Sequence, residues 1–174
     1  MPPAPWLNER EQRAWRALLV MQRQLLGRTA RELQRETGLS GADYEVLVNL
    51  SEAPDGRLRA FELGSATQWE KSRLSHHITR MVDRGLVRRE SCPTDSRGAF
   101  VVLTAAGRKA IEAAAPRHVE HVRRLFIDSI TPEQLDALAD IADAVLAKLG
   151  EEPEPCPDDD CAVTQTATPS RTDS

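Results

Sequence analysis

Aromatic residues are scarce in this chain of 174 residues, where they make up 4% of the sequence as three Trp, three Phe and one Tyr. The core must therefore be built mainly from Leu, Val, Ile and Ala, and we expect a largely helical protein. Long apolar runs are also lacking, because no stretch approaches the ~20 residues that a membrane span needs. The first residues do not show the basic-then-apolar pattern of a secretion signal. These absences favour a cytoplasmic protein.

Cysteines and catalytic motifs are lacking as well. The three cysteines, Cys92, Cys156 and Cys161, are too few and too irregularly spaced for a disulfide framework. The sequence contains no glycine-rich phosphate loop, no nucleophile elbow and no metal-binding helix motif. We therefore expect neither an enzyme nor a bound cofactor or metal.

The net charge of −4 looks unfavourable for binding nucleic acid, but the acidic residues are unevenly placed. From Glu151 onward the chain has seven acidic residues and one basic residue, so residues 1–150 carry a net charge of about +2. Between Pro54 and Gly98, nine Lys or Arg stand against six Asp or Glu. A local basic surface matters more for association with DNA than the overall charge. The middle of the chain is therefore the candidate DNA-binding region.

Helix start and stop signals predict a series of helices interrupted by one hairpin. Asn8, with Glu11 three residues later, predicts a capped first helix that ends before Gly38. Ser40 with Asp43 predicts the start of the second helix in the same way. The predicted helices cover about 9–37, 40–51, 60–67, 69–84, 105–128 and 132–149, and the predicted strands of the hairpin cover 87–91 and 99–103.

The first helix is too long to belong wholly to a small domain, since it would span about 43 Å at 1.5 Å per residue. Its apolar residues recur along one side, at Trp15, Leu18, Leu19, Leu25, Leu26 and Leu33. We expect part of this stripe to meet another subunit. The alternative is a long helix that lies over its own core.

A helix, a turn, a second helix and a two-stranded hairpin follow one another in the middle of the chain. With ~100° per residue, the apolar side of the second helix is expected to pack on Leu63 and Phe61, and its members are Leu74, Ile78, Met81 and Val82. The opposite side holds polar side chains that could read base edges in a major groove, namely Ser72, Arg73, Ser75, His76, Thr79 and Arg80. We interpret this helix as a recognition helix; the alternative is a polar face that is merely solvated.

The two adjacent histidines of this helix have different expected roles. His76 faces outward, where it can contact a base or a phosphate, whereas His77 flanks the apolar side and is expected to pack or to bond to the backbone. Adjacent residues on a helix do not face a common point. We therefore do not predict a metal site at this pair.

The hairpin tip is a second candidate contact with DNA. Arg97 is placed to enter a minor groove, and Asp95 is placed to orient its guanidinium. Arg88 and Arg89 point to opposite faces of the first strand, so we expect one of them to meet the phosphate backbone. The alternative for the tip is an ordinary turn with a surface ion pair.

Four stretches of the chain carry a resemblance to a known family. They are Ser-Gly-Ala-Asp-Tyr at 40–44, the segment 73–87 with Arg-Leu-Ser-His-His-Ile-Thr-Arg at its start, Asp-Ser-Arg-Gly at 95–98, and Leu-Thr-Ala-Ala-Gly at 103–107. Over residues 10–148 the sequence resembles the MarR family of bacterial winged helix-turn-helix repressors. Trp69 departs from the pattern, because the turn before the recognition helix is commonly small in that family.

The resemblance implies an obligate homodimer formed by the terminal helices, with two winged domains on a pseudo-palindrome and Arg97 in the minor groove. Many members of that family look like repressors. Small phenolic or aromatic ligands, or oxidation of a cysteine, release them from DNA. The first helix of this chain contains no cysteine of the peroxide-sensing kind.

We therefore predict a mainly α fold with a β-hairpin wing. The winged helix-turn-helix domain covers 39–103, dimerisation helices cover 1–38 and 104–150, and a disordered acidic tail covers 151–174. The predicted function is a sequence-specific regulator of transcription, with a repressor favoured, that binds double-stranded DNA as a homodimer and responds to a small ligand. The alternatives are a protein-interaction module without specific DNA binding and a thiol-based redox sensor that uses Cys92.

Two features of the chain stay open at this stage. Cys156 and Cys161 in the tail could pair or bind a soft metal, although a solvated tail is the favoured interpretation. His118 and His121 belong either to an effector pocket or to the dimer surface.

Overall fold

The computed structural model describes residues 5–92 and 95–151, except for the side chains of residues 92, 95–98 and 151. The roles predicted for the side chains of Cys92, Asp95 and Arg97 therefore lie outside the described part of the chain. The same holds for the acidic tail with its two cysteines. The chain divides into two compact units, one that ends at Ile130 and one that begins at Thr131.

The chain is mainly helical with one small sheet, as the sequence predicts. In order, the elements are α1 (Glu9–Thr37), α2 (Gly41–Glu52), β1 (Arg57–Arg59), α3 (Ala60–Thr67), α4 (Lys71–Asp83), β2 (Val87–Cys92), β3 (Asp95–Leu103), α5 (Ala105–Leu125) and α6 (Pro132–Glu151). Short 3₁₀ turns at Pro54–Gly56 and Ile127–Ser129 follow α2 and α5. None of the described helices is long and apolar enough to cross a membrane.

The predicted caps of α1 and α2 are confirmed. The backbone N–H of Glu11 donates to Asn8 Oδ1 at 3.0 Å, and the N–H of Asn8 donates back to Glu11 Oε2 at 2.8 Å. Ser40 and Asp43 form the same reciprocal pair at the start of α2. Each pair satisfies donors that the first helical turn leaves without an intrahelical partner.

The sheet has three antiparallel strands in the order β1-β3-β2. The predicted hairpin is the β2–β3 pair, in which Val87 lies opposite Leu103. Strand β1 was not predicted, and it pairs Arg57 with Val102 and Arg59 with Phe100. Strand β3 begins at Asp95, four residues before the predicted start of the second strand at residue 99. The hairpin connection is therefore shorter than expected.

The core joins the end of α1 to α2, α3, α4, the sheet and α5. Its fully buried side chains include Leu33, Val46, Leu47, Leu50, Leu63, Met81 and Val87. The prediction that Phe61 and Val82 lie in the core is wrong. Phe61 is 68% exposed and Val82 is 37% exposed, because α3 buries Leu63 and Thr67 instead and because Val82 lies at the margin of the apolar stripe of α4.

Two helix boundaries also differ from the prediction. Gln68 ends α3 in a left-handed conformation with φ 54°, so α4 begins at Lys71 and Trp69 lies in the turn before it. Helix α5 ends at Leu125, and the residues that follow form the second 3₁₀ turn. The consequence for α4 is that Trp69 becomes a neighbour of the recognition helix instead of its first residue.

The Leu-Thr-Ala-Ala-Gly motif joins the sheet to α5 by close backbone packing. Thr104 Oγ1 accepts from the N–H of Gly107 at 2.9 Å and lies 2.7 Å from the carbonyl oxygen of Gly85. A Cβ added at Gly107 would lie 2.0 Å from the carbonyl oxygen of Leu86. Glycine is therefore required there to let α5 approach the segment that links α4 to β2.

Candidate nucleic-acid interface

The outward side of α4 is polar, as the sequence predicts. Its exposed residues include all six that were assigned to base or phosphate contacts: Ser72, Arg73, Ser75, His76, Thr79 and Arg80. The inward side is formed by Leu74, His77, Ile78 and Met81, all of which are buried. The structure therefore brings the predicted reading residues together on one solvent-accessible surface and anchors the helix through the other.

Trp69 supplies a platform for the first arginine of this surface. The guanidinium carbon of Arg73 lies 4.4 Å from the centroid of the Trp69 ring, which is the geometry of a cation–π contact. Burial raises the pKa of Glu45 on α2, and the charge of Arg73 partly offsets that rise. Arg73 thus contacts an aromatic ring and interacts electrostatically with Glu45, while it stays exposed.

The buried His77 contacts Arg80, the second arginine of this surface. Its Nδ1 lies 2.9 Å from Arg80 Nη2, and its Nε2 lies 3.1 Å from Asp43 Oδ1 on α2. The Trp69 ring meets the His77 ring edge to face, with centroids 5.3 Å apart. Burial lowers the pKa of His77, and the charge of Asp43 offsets this only in part. The ring is therefore neutral near neutral pH.

Asp43 connects this group to the rest of the domain. Its Oδ2 accepts from Arg84 Nη1 at 2.7 Å and from the backbone N–H of Ser40 at 2.9 Å. Burial by itself would raise the pKa of Asp43, but the hydrogen bonds from Arg84 and Ser40 outweigh it and hold that pKa below its ordinary value. A residue that the sequence identified only as part of a helix cap therefore also fixes α4 against α2.

The two arginines of β2 point to opposite faces, as predicted. Arg89 Nη2 donates to the carbonyl oxygen of Ser75 at 3.0 Å and to Thr79 Oγ1 at 3.1 Å. The Thr79 hydroxyl itself donates to the same carbonyl oxygen of Ser75. Arg88 instead forms an ion pair with Glu90 at 2.6 Å. Arg89 therefore links the sheet to the polar side of α4 and adds a positive charge to it.

Sequence reasoning missed the arginines of β1. The strand register places Arg57, Arg59 and Phe100 on the same face of the sheet as Arg88. The guanidinium carbons of Arg57 and Arg59 lie 5.2 and 5.4 Å from the centroid of the Phe100 ring. The alternating Arg-Leu-Arg after the Pro-Asp-Gly turn was the available signal, but three residues are too few to predict a strand.

His118 and His121 lie where α5 packs in the first unit. His121 is buried, and its Nε2 lies 3.3 Å from Glu36 on α1. The His118 ring contacts the Tyr44 ring, with centroids 4.4 Å apart. A polar groove beside them is lined by Glu36, Arg117, Glu120, His121 and Arg124. Among the described residues, no cluster of three or more His, Cys, Asp or Glu is arranged to hold a metal ion.

The first two thirds of α1 expose an apolar surface. Within this stretch Trp15, Leu18, Leu19, Val20, Met21 and Leu26 are all exposed, whereas Leu33 near the end of the helix is buried. Helix α6, taken by itself, also exposes apolar residues at Leu135, Ile141, Val145, Leu146 and Leu149. These surfaces do not fit the alternative in which the whole of α1 covers its own core.

Comparison with known proteins decides the family. A model of the MarR family matches residues 37–98, the segment that contains α2, the helix-turn-helix unit and most of the hairpin. AbsC, a MarR family transcriptional regulator from Streptomyces coelicolor, has the same fold, with a TM-score of 0.80 and 45% sequence identity over 86% of this chain and 100% of AbsC. This chain belongs to the MarR family.

Two further relatives extend the comparison within the MarR family. Sco3205 from Streptomyces coelicolor, whose crystal structure was determined in complex with DNA, gives a TM-score of 0.81 and 39% identity over 89% of this chain and 96% of Sco3205. The transcriptional regulator HosA from Escherichia coli O111:H- is 38% identical over 88 residues, which are 51% of this chain and 64% of HosA. The chain thus matches somewhat less than two thirds of the length of this curated relative.

Proposed function

We propose that this chain is a sequence-specific regulator of transcription that binds double-stranded DNA as a homodimer. The observation that carries the proposal is the exposed polar side of α4, which displays six hydrogen-bonding side chains opposite a buried apolar side. Only a helix or a two-stranded ribbon fits the major groove, and base edges there are read by side chains of these types. The DNA complex determined for Sco3205 supports the proposal through family membership.

We assign the following roles to individual residues as part of this proposal. Ser72, Arg73, Ser75 and His76 in the first half of α4 contact base edges, and Arg80 contacts a base or a phosphate. Arg89 is held against Thr79 and contributes charge beside the groove. Arg97 at the hairpin tip enters a minor groove, with Asp95 as its partner.

The exposed apolar surfaces of α1 and α6 support the homodimer. Trp15 is 53% exposed and Leu26 is 60% exposed, and contiguous apolar surface of this kind marks an interaction site. A second copy of the chain carries the same apolar surfaces and can therefore cover them. Residues 1–38 and 104–150 then form the dimer, and residues 39–103 form the DNA-binding domain. A two-fold dimer requires a pseudo-palindromic operator with half-sites about one helical turn apart.

We further propose how this regulator represses transcription and how a ligand relieves the repression. Binding over a promoter makes the protein a repressor, and a small ligand relieves the repression by changing how α5 lies on α1. The polar groove beside His121 contains both arginine and glutamate side chains, and it therefore suits a ligand that carries a carboxylate or a phenolic hydroxyl.

The direct test is selection of bound duplexes from a random pool by the purified protein, followed by measurement of binding at several salt concentrations. We expect a two-fold symmetric sequence and a salt dependence that steepens with each phosphate neutralised. Arg97→Ala should weaken binding to the selected duplex by about 1–3 kcal/mol and flatten the salt slope by about one. Arg13→Ala, on the exposed start of α1, serves as the matched control. Failure to enrich any sequence would contradict the proposal.

A further inference from the structure

Two arginines of the recognition helix are held in place by residues that do not themselves face outward. Arg73, His77 and Arg80 follow each other at spacings of four and three residues, so they lie along one stripe of α4. Trp69 extends this stripe by one more step of four residues, into the turn before the helix. Along this stripe the aromatic rings of Trp69 and His77 alternate with the guanidinium groups of Arg73 and Arg80.

The hydrogen bond to Arg80 determines the protonation state of His77. An arginine can only donate, so Nδ1 of His77 must be the acceptor in the 2.9 Å contact with Arg80 Nη2. The ring proton then lies on Nε2, the atom that is 3.1 Å from Asp43 Oδ1. A doubly protonated His77 would present an N–H to Arg80 and lose this contact.

Trp69 joins the two halves of the stripe. One face of its ring carries the guanidinium of Arg73 at 4.4 Å, and its contact with the His77 ring is perpendicular at 86°. His77 is 6% exposed, so its ring cannot move without disturbing the core. An arginine side chain that is already held loses less conformational freedom when it binds.

We propose that Trp69 and His77 are positioning residues that orient Arg73 and Arg80 before DNA arrives, and that they thereby set the discrimination between base pairs at the positions these arginines read. The inference rests on the proposed function. It adds to that function a source of specificity in residues that do not themselves contact DNA. It also gives a role to Trp69, the residue at which this chain departs from the family pattern.

The experiment uses the full chain and the duplex obtained by selection. Arg73→Ala and Arg80→Ala first identify the base pair at which each arginine discriminates. Trp69→Leu should then lower discrimination at the Arg73 base pair about tenfold, within the range for one well-formed side-chain–base contact, and should have no further effect in an Arg73→Ala background. Phe61→Leu removes an exposed aromatic ring from α3 and should change nothing. Trp69→Phe keeps an aromatic face and should retain part of the discrimination.

A second arm tests His77 by pH. The charged groups around its ring are Asp43 on α2 and Arg73 and Arg80 on α4, with Arg84 on the other oxygen of Asp43. Wild-type protein should lose discrimination at the Arg80 base pair as the pH falls below the ordinary range of a histidine. His77→Gln, which keeps an acceptor and does not titrate, should show a flat profile, and His77→Leu should lose discrimination at every pH.

The outcomes separate this inference from the function on which it rests. If the wild-type protein selects no duplex, the proposed function fails and this inference fails with it. If it selects a duplex but the Trp69 and His77 variants weaken all duplexes equally, the two residues are merely structural and the inference alone is overturned. Should Trp69→Leu fail to fold, Trp69→Phe and the pH arm decide the question in the same way.

Discussion

Helices α1 and α4 both expose a long face, and the chemistry of the two faces is opposite. The outward side of α4 is polar, and three of its side chains are held by partners within the chain: Arg73 by Trp69, Arg80 by His77 and Thr79 by Arg89. The first two thirds of α1 instead expose large apolar side chains, among them Trp15, Leu18 and Leu26. Exposure alone therefore does not identify a binding surface. The polar face of α4 is suited to a charged partner that forms hydrogen bonds, whereas the apolar face of α1 is suited to an apolar protein surface.

The two helices also differ in how far their apolar side chains are buried within a single chain. The core below α4 is closed, since Leu47, Leu63 and Met81 are fully buried. Helix α1 is packed only towards its end, around Leu33. In the proposed homodimer, most of the free energy that holds the first part of α1 in place therefore comes from the second copy, whereas the side chains below α4 are buried within one chain.

Adding charge to the apolar face of α1 should produce the largest effect. Trp15→Glu combined with Leu18→Glu should convert the dimer to a monomer, because two carboxylates would be buried in the interface. Loss of the second half-site contact should lower affinity for the selected duplex by about two orders of magnitude or more. Sedimentation equilibrium and fluorescence anisotropy measure the two changes. A variant that remains dimeric would contradict the role given to α1, and Arg13→Glu is the matched control.

The close approach of α5 to the segment that links α4 to β2 offers a second test. Gly107→Ala should lower the free energy of unfolding by about 1–3 kcal/mol or more, because the added Cβ overlaps the carbonyl oxygen of Leu86. Gly150→Ala is the control, since its Cβ would have no neighbour within 4 Å. Urea titration followed by circular dichroism measures both. Equal stability of the two variants would show that the backbone around Leu86 and Gly107 can shift to accept a Cβ at little cost.

The smallest effect concerns pH, and its sign follows from the direction of the pKa shifts. Burial lowers the pKa of His77, so below its ordinary range the unfolded chain binds more protons than the folded one, and stability falls as the pH decreases. The pKa of Asp43 is also held low, and its contribution is lost at still lower pH. His77→Gln should flatten the first part of this dependence in urea titrations. His76→Gln, on the exposed side of α4, should not, and identical profiles for wild type and His77→Gln would be inconsistent with a buried neutral His77.

Features determined by local sequence were predicted well. The caps at Asn8 and Ser40 depend on residues three positions apart, so the starts of α1 and α2 could be read directly. The polar side of α4 also follows from periodicity alone. Family membership was predicted from short motifs in the middle of the chain and is confirmed.

Most of the features that were not predicted depend on contacts between distant residues. Strand β1 exists because Arg57 pairs with Val102, far along the chain. The link from Arg84 to Asp43 spans 41 positions, and the contact between Asp43 and His77 joins two helices. Phe61 looked like a core residue by type, but the orientation of α3 leaves it exposed. The only local signal among them is the Arg-Leu-Arg alternation of β1, which is too short to predict a strand.

Methylation interference tests whether α4 reads bases in the major groove on both halves of a symmetric site. Dimethyl sulfate modifies guanine at N7, which lies in the major groove where Arg side chains bind. In the selected duplex, methylated guanines should block binding in two symmetric groups about one helical turn apart. Binding that is insensitive to guanine methylation in both half-sites would contradict the account.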